Sequence, residues 1–245
     1  MKSIDTKKFN IHFISLRKNK ERSKNILDII KKHNLKATIF PAINGLKINY
    51  ENSIKDGYIT TLTKENMKAG AIGCGLSHIT LLEQFLKSKK EVITVFEDDV
   101  FFHSDFVKRY SDFFDNVPKD FDVCQILHHL WNRDEKVKSE YKMDSKYVMK
   151  GYPQLGAVGL LVSRNGAKKL LSLWKPLVGT IDGILLKAVK NGFIKSYAPV
   201  KDIIRMPYSF RSTIWSTTSK IRNRQITVII LLVCFCLLIW VFSKK

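Results

Sequence analysis

The chain has 245 residues, 42 of them basic and 22 acidic, for a formal charge of +20. That length accommodates one domain with a sizeable buried core. The positive excess suits an acidic partner, yet no basic run interleaved with aromatics and no finger or helix-turn-helix spacing is present, so nucleic acid is set aside in favour of phosphorylated substrates or an anionic membrane surface.

The amino-terminal stretch contains no apolar run long enough for a signal peptide. Residues 10–15, NIHFIS, read as a first strand, and LRKNKER turns the chain into a helix whose apolar face is Ile26, Leu27, Ile29 and Ile30. Ala37 to Phe40 forms a second short strand, closed by Pro41 and the Asn44-Gly45 turn. This β-α-β opening predicts an α/β domain with helices on the faces of a sheet. Arg17 and Arg22 follow the first strand directly; either a diphosphate contact or a surface position fits them.

Residues 47–66 are polar and weakly patterned, and read as a long excursion. Gly70, Gly73 and Gly75 then punctuate the chain ahead of a helix with Leu76, Ile79, Leu82 and Phe85 on its apolar face. Glycines there allow close backbone approach, and the helix start offers free amides to an anion, although the pattern is neither a Walker loop nor a dinucleotide fingerprint. Ser77 and His78 are expected in that helix's first turn, where a lone histidine more often packs or caps than reacts.

Val92, Ile93, Val95 and Phe96 form a run that reads as a strand buried on both faces. It ends on Glu97, Asp98 and Asp99 before apolar residues resume at Val100. Carboxylates clustered at a strand end repel one another unless a hard divalent cation neutralises them, and open α/β sheets bind ligands at such ends. An acidic loop or helix-capping acids ahead of Ser104 is the plainer alternative.

Phe106 to Phe114 reads as helix, Phe121 to Leu127 as strand, and residues 131–146 as a charged loop or hairpin. His128 and His129 at the end of that strand point to opposite sides. Gly156 to Ser163 reads as a buried strand, followed by a helix with Ala167, Leu170, Leu171 and Trp174 that Pro176 ends. Thr180 or Asp182 caps a last helix, and Lys195 to Ala198 makes a final strand. The four cysteines match neither a zinc framework nor a disulfide framework, so they read as buried thiols in a reducing compartment. Residues 226–242, ITVIILLVCFCLLIWVF, carry no charge and predict a membrane-spanning helix behind a basic linker, residues 213–225. The flanking basic residues orient the domain toward the cytoplasm.

Five stretches occurring in order, ISLRKNKERSKNI with FPAING, GAIGCGLSHITLLEQF, VITVFEDDV, GAVGLLVSRNGAKKLL and TIDGIL, together resemble glycosyltransferase family 25, the lipooligosaccharide galactosyltransferase family. The resemblance implies a GT-A-like, Rossmann-like nucleotide-sugar-binding domain over residues 1–212, a UDP-sugar donor such as UDP-galactose, a saccharide acceptor, and Mn2+ or Mg2+. It assigns the direct metal contact to Asp99. Glu97 and Asp98 are placed on ribose, water or the second ligand position. Arg17, Gly73, Ser77 and His78 fall in the donor pocket, and Asp182 is the base of an inverting transfer. A carboxyl-terminal anchor is not usual in bacterial relatives; it places the expected enzyme at a membrane, where a lipid-linked acceptor fits. The alternative is a membrane-tethered, catalytically inactive sugar-nucleotide-binding or scaffold protein of the same fold.

Overall fold

The computed structural model describes residues 5–16, 18–127 and 135–206. Arg17, His128, His129, the basic linker and the apolar segment 226–242 lie outside these residues. Among the described residues, no helix is long and apolar enough to cross a membrane.

After a 3-10 turn at Thr6–Phe9 come β1 (Ile11–Ser15), α1 (Lys20–Lys32) and β2 (Ala37–Pro41). The Asn19 side chain accepts from the Arg22 amide and so caps α1, which gives that helix a fixed start close behind β1. Residues 47–66 are not an unstructured excursion. They hold α2 (Tyr50–Lys55), capped by Asn49, and α3 (Thr61–Asn66), closed by a reciprocal Thr60–Thr63 capping box. The helices are too short to show an apolar period, so only their caps carry a signal.

Then come α4 (Ala69–Lys87), β3 (Val92–Glu97) and the short β4 (Phe101–Phe102). Gly70, Gly73 and Gly75 lie inside α4 rather than ahead of it, and Ser77 and His78 sit well past its first turn. Close packing explains this placement. A methyl group on Gly73 would come within 2.5 Å of the Ile43 carbonyl oxygen and 2.6 Å of the Gly45 amide nitrogen. The helix can therefore lie against the 43–45 backbone only with glycine at that position.

The remainder is α5 (Phe106–Asn116), β5 (Val123–Gln125), α6 (Glu135–Tyr141), β6 (Val148–Lys150), β7 (Gly159–Ser163), α7 (Arg164–Trp174), α8 (Ile181–Lys190), β8 (Ser196–Pro199) and β9 (Ile204–Arg205). Seven strands form one mixed sheet in the order β2-β1-β3-β7-β5-β8-β6, and β4 pairs with β9 in a second, two-stranded sheet. Strand β1 runs parallel to both β2 and β3, whereas β7 is antiparallel to β3 and β5.

Period-two alternation sends successive side chains of the central strands into two cores. Phe96, Cys124 and Leu161 face a cluster with Ile26, Phe106 and Tyr110 from α1 and α5. Val95, Val123, Leu160 and Val162 face a second cluster, shared with α4, α7 and α8. The sheet is thus covered on both sides, which is why β3 reads as a continuous apolar run. Phe102, stacked on Phe106 at 3.9 Å between ring centroids, pins the residues that follow the acids. The Asn25 side-chain amide donates to the Val100 carbonyl at 3.0 Å, tying the same stretch to α1.

The strand order reverses at β1: the chain passes to β2 on one side and returns to β3 on the other. The carboxyl ends of β1 and β3 therefore meet at a topological switch point, where an open α/β sheet leaves a crevice for ligand. Residues 97–99 stand there, because Ile14 pairs with Glu97 in the parallel register.

Candidate active site

The three consecutive acids face three different environments. Asp98 is 7% exposed; its Oδ2 accepts from the Ser15 hydroxyl at 2.9 Å and its Oδ1 from Arg22 Nη1 at 2.6 Å. Arg22 is itself buried and reaches Asp99 Oδ2 at 3.3 Å through Nη2. Both Asp98 oxygens are thus already engaged in joining β1 and α1 to the end of β3. Asp99, by contrast, has one oxygen, Oδ1, that is buried with no hydrogen-bond partner. Burial and then the neighbouring Glu97 charge push its carboxyl up to about 6, with Arg22 pulling the other way.

Glu97 turns toward α4. Its Oε1 lies 3.5 Å from Cys74 Sγ and 3.4 Å from His78 Nε2. Cys74 and His78 are four residues apart on α4, hence on one face of that helix. The His78 ring also stands edge-on to Trp174, with 6.2 Å between centroids.

Asp182 enters from the first turn of α8. Thr180 caps that helix, accepting from the Gly183 amide. Asp182 Oδ1 also accepts from Gly183 at 2.9 Å, and Oδ2 accepts from the Gly156 amide at 3.2 Å. Gly156 is positioned in turn by Gln125 at the end of β5, whose side-chain amide donates to the Gly156 carbonyl at 2.9 Å. The charges of Glu97, Asp182 and Asp99 all act on the Cys74 thiol, which burial first of all raises well above its ordinary range. Glu97, Asp99 and Asp182 thus all lie close enough to Cys74 to act on its thiol, although they come from elements far apart in the chain.

These residues fit a divalent cation. One oxygen of Asp99 is desolvated and unpaired and the carboxyl feels the neighbouring Glu97 charge, a burden that a positive ion removes. On Asp99 it is Oδ1 that stays clear of the Arg22 ion pair.

The other expected donor-pocket residues take packing roles. Gly73 forms the close contact with residues 43–45. Ser77 is fully buried; its hydroxyl donates to the Gly73 carbonyl at 2.6 Å and accepts from the Ile43 amide at 2.8 Å. These two residues hold the 43–45 turn on α4, beside the crevice. Gly73→Ala is expected to destabilise the protein by about 1–3 kcal/mol through backbone overpacking, read as a lowered urea midpoint with an unchanged slope.

Ser15, Gln125 and Gly156 escape sequence reasoning, because their roles depend on strand register. Cys74 is detectable: it stands four residues before His78, but glycines that read as a loop conceal the shared helix face. A separate cleft of about 900 Å3 lies at the opposite end of β1 and β3, lined by Lys7, Lys8, Lys90, Lys119, Arg164 and Lys168. Part of the basic excess sits there, away from the carboxylates.

The sequence model described as glycosyltransferase family 25 (LPS biosynthesis protein) matches residues 9–185. A "Glycosyltransferase 25 family member" of Anopheles gambiae is 27% identical over 168 residues, covering 66% of this chain and 28% of the mosquito protein. "Procollagen galactosyltransferase 2" of Homo sapiens is 24% identical, covering 66% of this chain and 27% of the human one. A "Putative glycosyltransferase" of Haemophilus influenzae is 30% identical, covering 72% of this chain and 62% of the bacterial protein. The chain thus spans less than two thirds of the length of each.

Proposed function

Because the chain belongs to glycosyltransferase family 25, we propose that it transfers a hexose, with galactose the first candidate, from a UDP-sugar to a saccharide acceptor. The observation that carries this reading is the buried, unpaired Asp99 Oδ1 beside Glu97 at the sheet's switch point. The arrangement supports a GT-A-like donor domain, with the nucleotide over the ends of β1 and β3.

In this reading Glu97 and Asp99 hold Mn2+ or Mg2+. When bound, the ion supplies positive charge against the diphosphate leaving group. Asp98 does not touch the donor directly; through Ser15 and Arg22 it sets the direction of its two acidic neighbours. Asp182 accepts the proton of the acceptor hydroxyl as that oxygen attacks the anomeric carbon from the face opposite the leaving group, which inverts the centre. The Gly156 and Gly183 amides keep Asp182 oriented for that step. The uncharged run 226–242 and the basic residues before it support a location at a bilayer with the domain on the cytoplasmic side, where a lipid-linked acceptor of lipooligosaccharide type would be within reach.

One observation favours a second reading. Both Asp182 oxygens already serve backbone amides, as they would in a purely structural cap. The protein would then bind a sugar nucleotide without turning it over. The test is the detergent-solubilised full chain incubated with manganese and a panel of UDP-sugars. Expected is chelator-sensitive hydrolysis or transfer from one donor. Asp182→Asn should keep donor affinity while lowering kcat by about 100-fold or more. Donor binding that ignores the metal, with no turnover of any donor, would replace the enzyme with the binding protein.

A further inference from the structure

Cys74, His78 and Glu97 contribute three different donor atoms, all within 4.8 Å of one another. The spacing carries more information than the proximity. With ordinary zinc bond lengths, the edges of a tetrahedral site are about 3.5 Å from sulfur to oxygen and about 3.3 Å from nitrogen to oxygen. The corresponding separations here are 3.5 Å from Cys74 Sγ to Glu97 Oε1 and 3.4 Å from His78 Nε2 to the same oxygen. The sulfur-to-nitrogen edge is bounded only at 4.8 Å, against about 3.6 Å in such a site, so a side-chain rotation of Cys74 or His78 completes the third edge. Two elements set the rest of this geometry. The helix places sulfur and imidazole one turn apart, and the end of β3 brings the carboxylate to both. His78 is held in addition by the Trp174 ring. Nothing in an inverting transfer with a hard cation calls for a thiol, yet this one stands 3.5 Å from the Glu97 carboxylate.

We propose that Cys74, His78 and Glu97 form a binding site for a borderline-soft divalent cation of the zinc class, with its fourth position open to water or ligand. Mixed nitrogen, oxygen and sulfur donors select such ions, whereas Mg2+ and Mn2+ favour oxygen alone. On binding, the Cys74 S–H bond breaks, its proton passes to solvent, and the sulfur lone pair forms the bond to the ion. Three protein ligands with one open position are the pattern of zinc sites that do chemistry rather than hold a fold together. Glu97 belongs both to this donor set and to the carboxylate pair of the transfer site. A zinc-class ion in the triad therefore withdraws Glu97 from that pair and opposes loading with the hard cation. The inference rests on the reading of this crevice as a cation site and adds to it the class of ion that regulates it.

The test uses the full chain in detergent, freed of metal by chelation and titrated with Co2+. The expected result is a saturable sulfur-to-cobalt charge-transfer band with the strong visible absorption of a tetrahedral site, bleached when Zn2+ is added. Cys74→Ser, which preserves volume, should remove the charge-transfer band, while Cys124→Ser in the core should leave it. Glu97→Gln should weaken Co2+ binding by about 100-fold or more, beyond the effect of an outer-shell partner. Thermal melts of each variant show that the fold is retained. A missing band in the wild-type protein, or a band that survives Cys74→Ser, overturns the proposal. The cobalt spectrum needs neither donor nor acceptor. A protein that shows the band but transfers no sugar would fail only the transferase reading, and one that transfers sugar without the band would fail only this one.

Discussion

Asp98→Ala should destabilise the domain by about 3 kcal/mol, enough to unfold a marginal protein, and any loss of transfer should follow from that loss of structure. Asp98 and Arg22 are 7% and 6% exposed, and their 2.6 Å ion pair joins the first turn of α1 to the end of β3. Truncating the carboxylate takes away the main countercharge of a buried guanidinium, a change that typically costs about 3–5 kcal/mol. Asp99, 3.3 Å from the other guanidinium nitrogen, retains some attraction, which places the expected loss at the lower end. Ser15 loses its acceptor as well. The measurement is urea unfolding of the full chain, with Asp98→Leu combined with Arg22→Met as the control. Replacing both members of a buried pair by apolar groups is often close to neutral, so the double variant should recover most of the loss. An Asp98→Ala protein of wild-type stability that cannot bind the donor would mean that Asp98 is a ligand contact and not a brace.

The sequence shows where the acids stand but not what each of them does. An apolar run that stops on Glu97 locates the end of a buried strand, and the β-α-β opening supplies the neighbouring strand, so the switch point is legible from residues 10–40 and 92–99. The division of labour among the acids depends on which way each side chain turns. That is set by Ser15 and Arg22, whose contacts with Asp98 span 83 and 76 residues of sequence. No local pattern encodes such a contact. The glycines of α4 mislead for a related reason. Helix propensity argues against GAIGCG as helix, and tertiary packing against residues 43–45 and Leu177 overrides it. Once that stretch is helical, Cys74 and His78 share a face, and the chemistry at Glu97 changes from two carboxylate neighbours to a mixed donor set. The placement of Asp182 depends on a longer chain still, from β5 through Gln125 to Gly156. The thiol, imidazole and carboxylate letters are all visible in the sequence; their common destination is not.

Asp99→Asn should do the reverse of Asp98→Ala: abolish metal-dependent transfer and stabilise the chelated protein. In the fold the Asp99 carboxyl is raised from 3.8 to about 6, first by burial and then by Glu97. A raised carboxyl pKa means that the folded state holds its proton more tightly than the unfolded chain does. Its contribution to stability is therefore fully present below about pH 4 and is lost as the pH rises through about 6. At neutral pH the ionised, half-desolvated Asp99 works against folding. A rise of that size corresponds to about 3 kcal/mol, and the lost Arg22 contact lowers the expected gain of the amide to about 2 kcal/mol. Unfolding in a chelator at about pH 8 should show the variant ahead by that amount, with the difference closing near pH 4. Manganese should then raise the wild-type midpoint and leave that of the variant where it was, because only the wild type gains a bound ion. Transfer by the variant should fall about 100-fold or more, since the charge that would meet the leaving diphosphate is no longer held. Equal pH profiles would remove the desolvated-carboxylate account of Asp99, and undiminished manganese-dependent transfer would move the metal contact to another residue. The combined outcome, a more stable and inactive protein, is the expected signature of a residue kept under electrostatic strain for a cation, and a structural acid such as Asp98 cannot produce it.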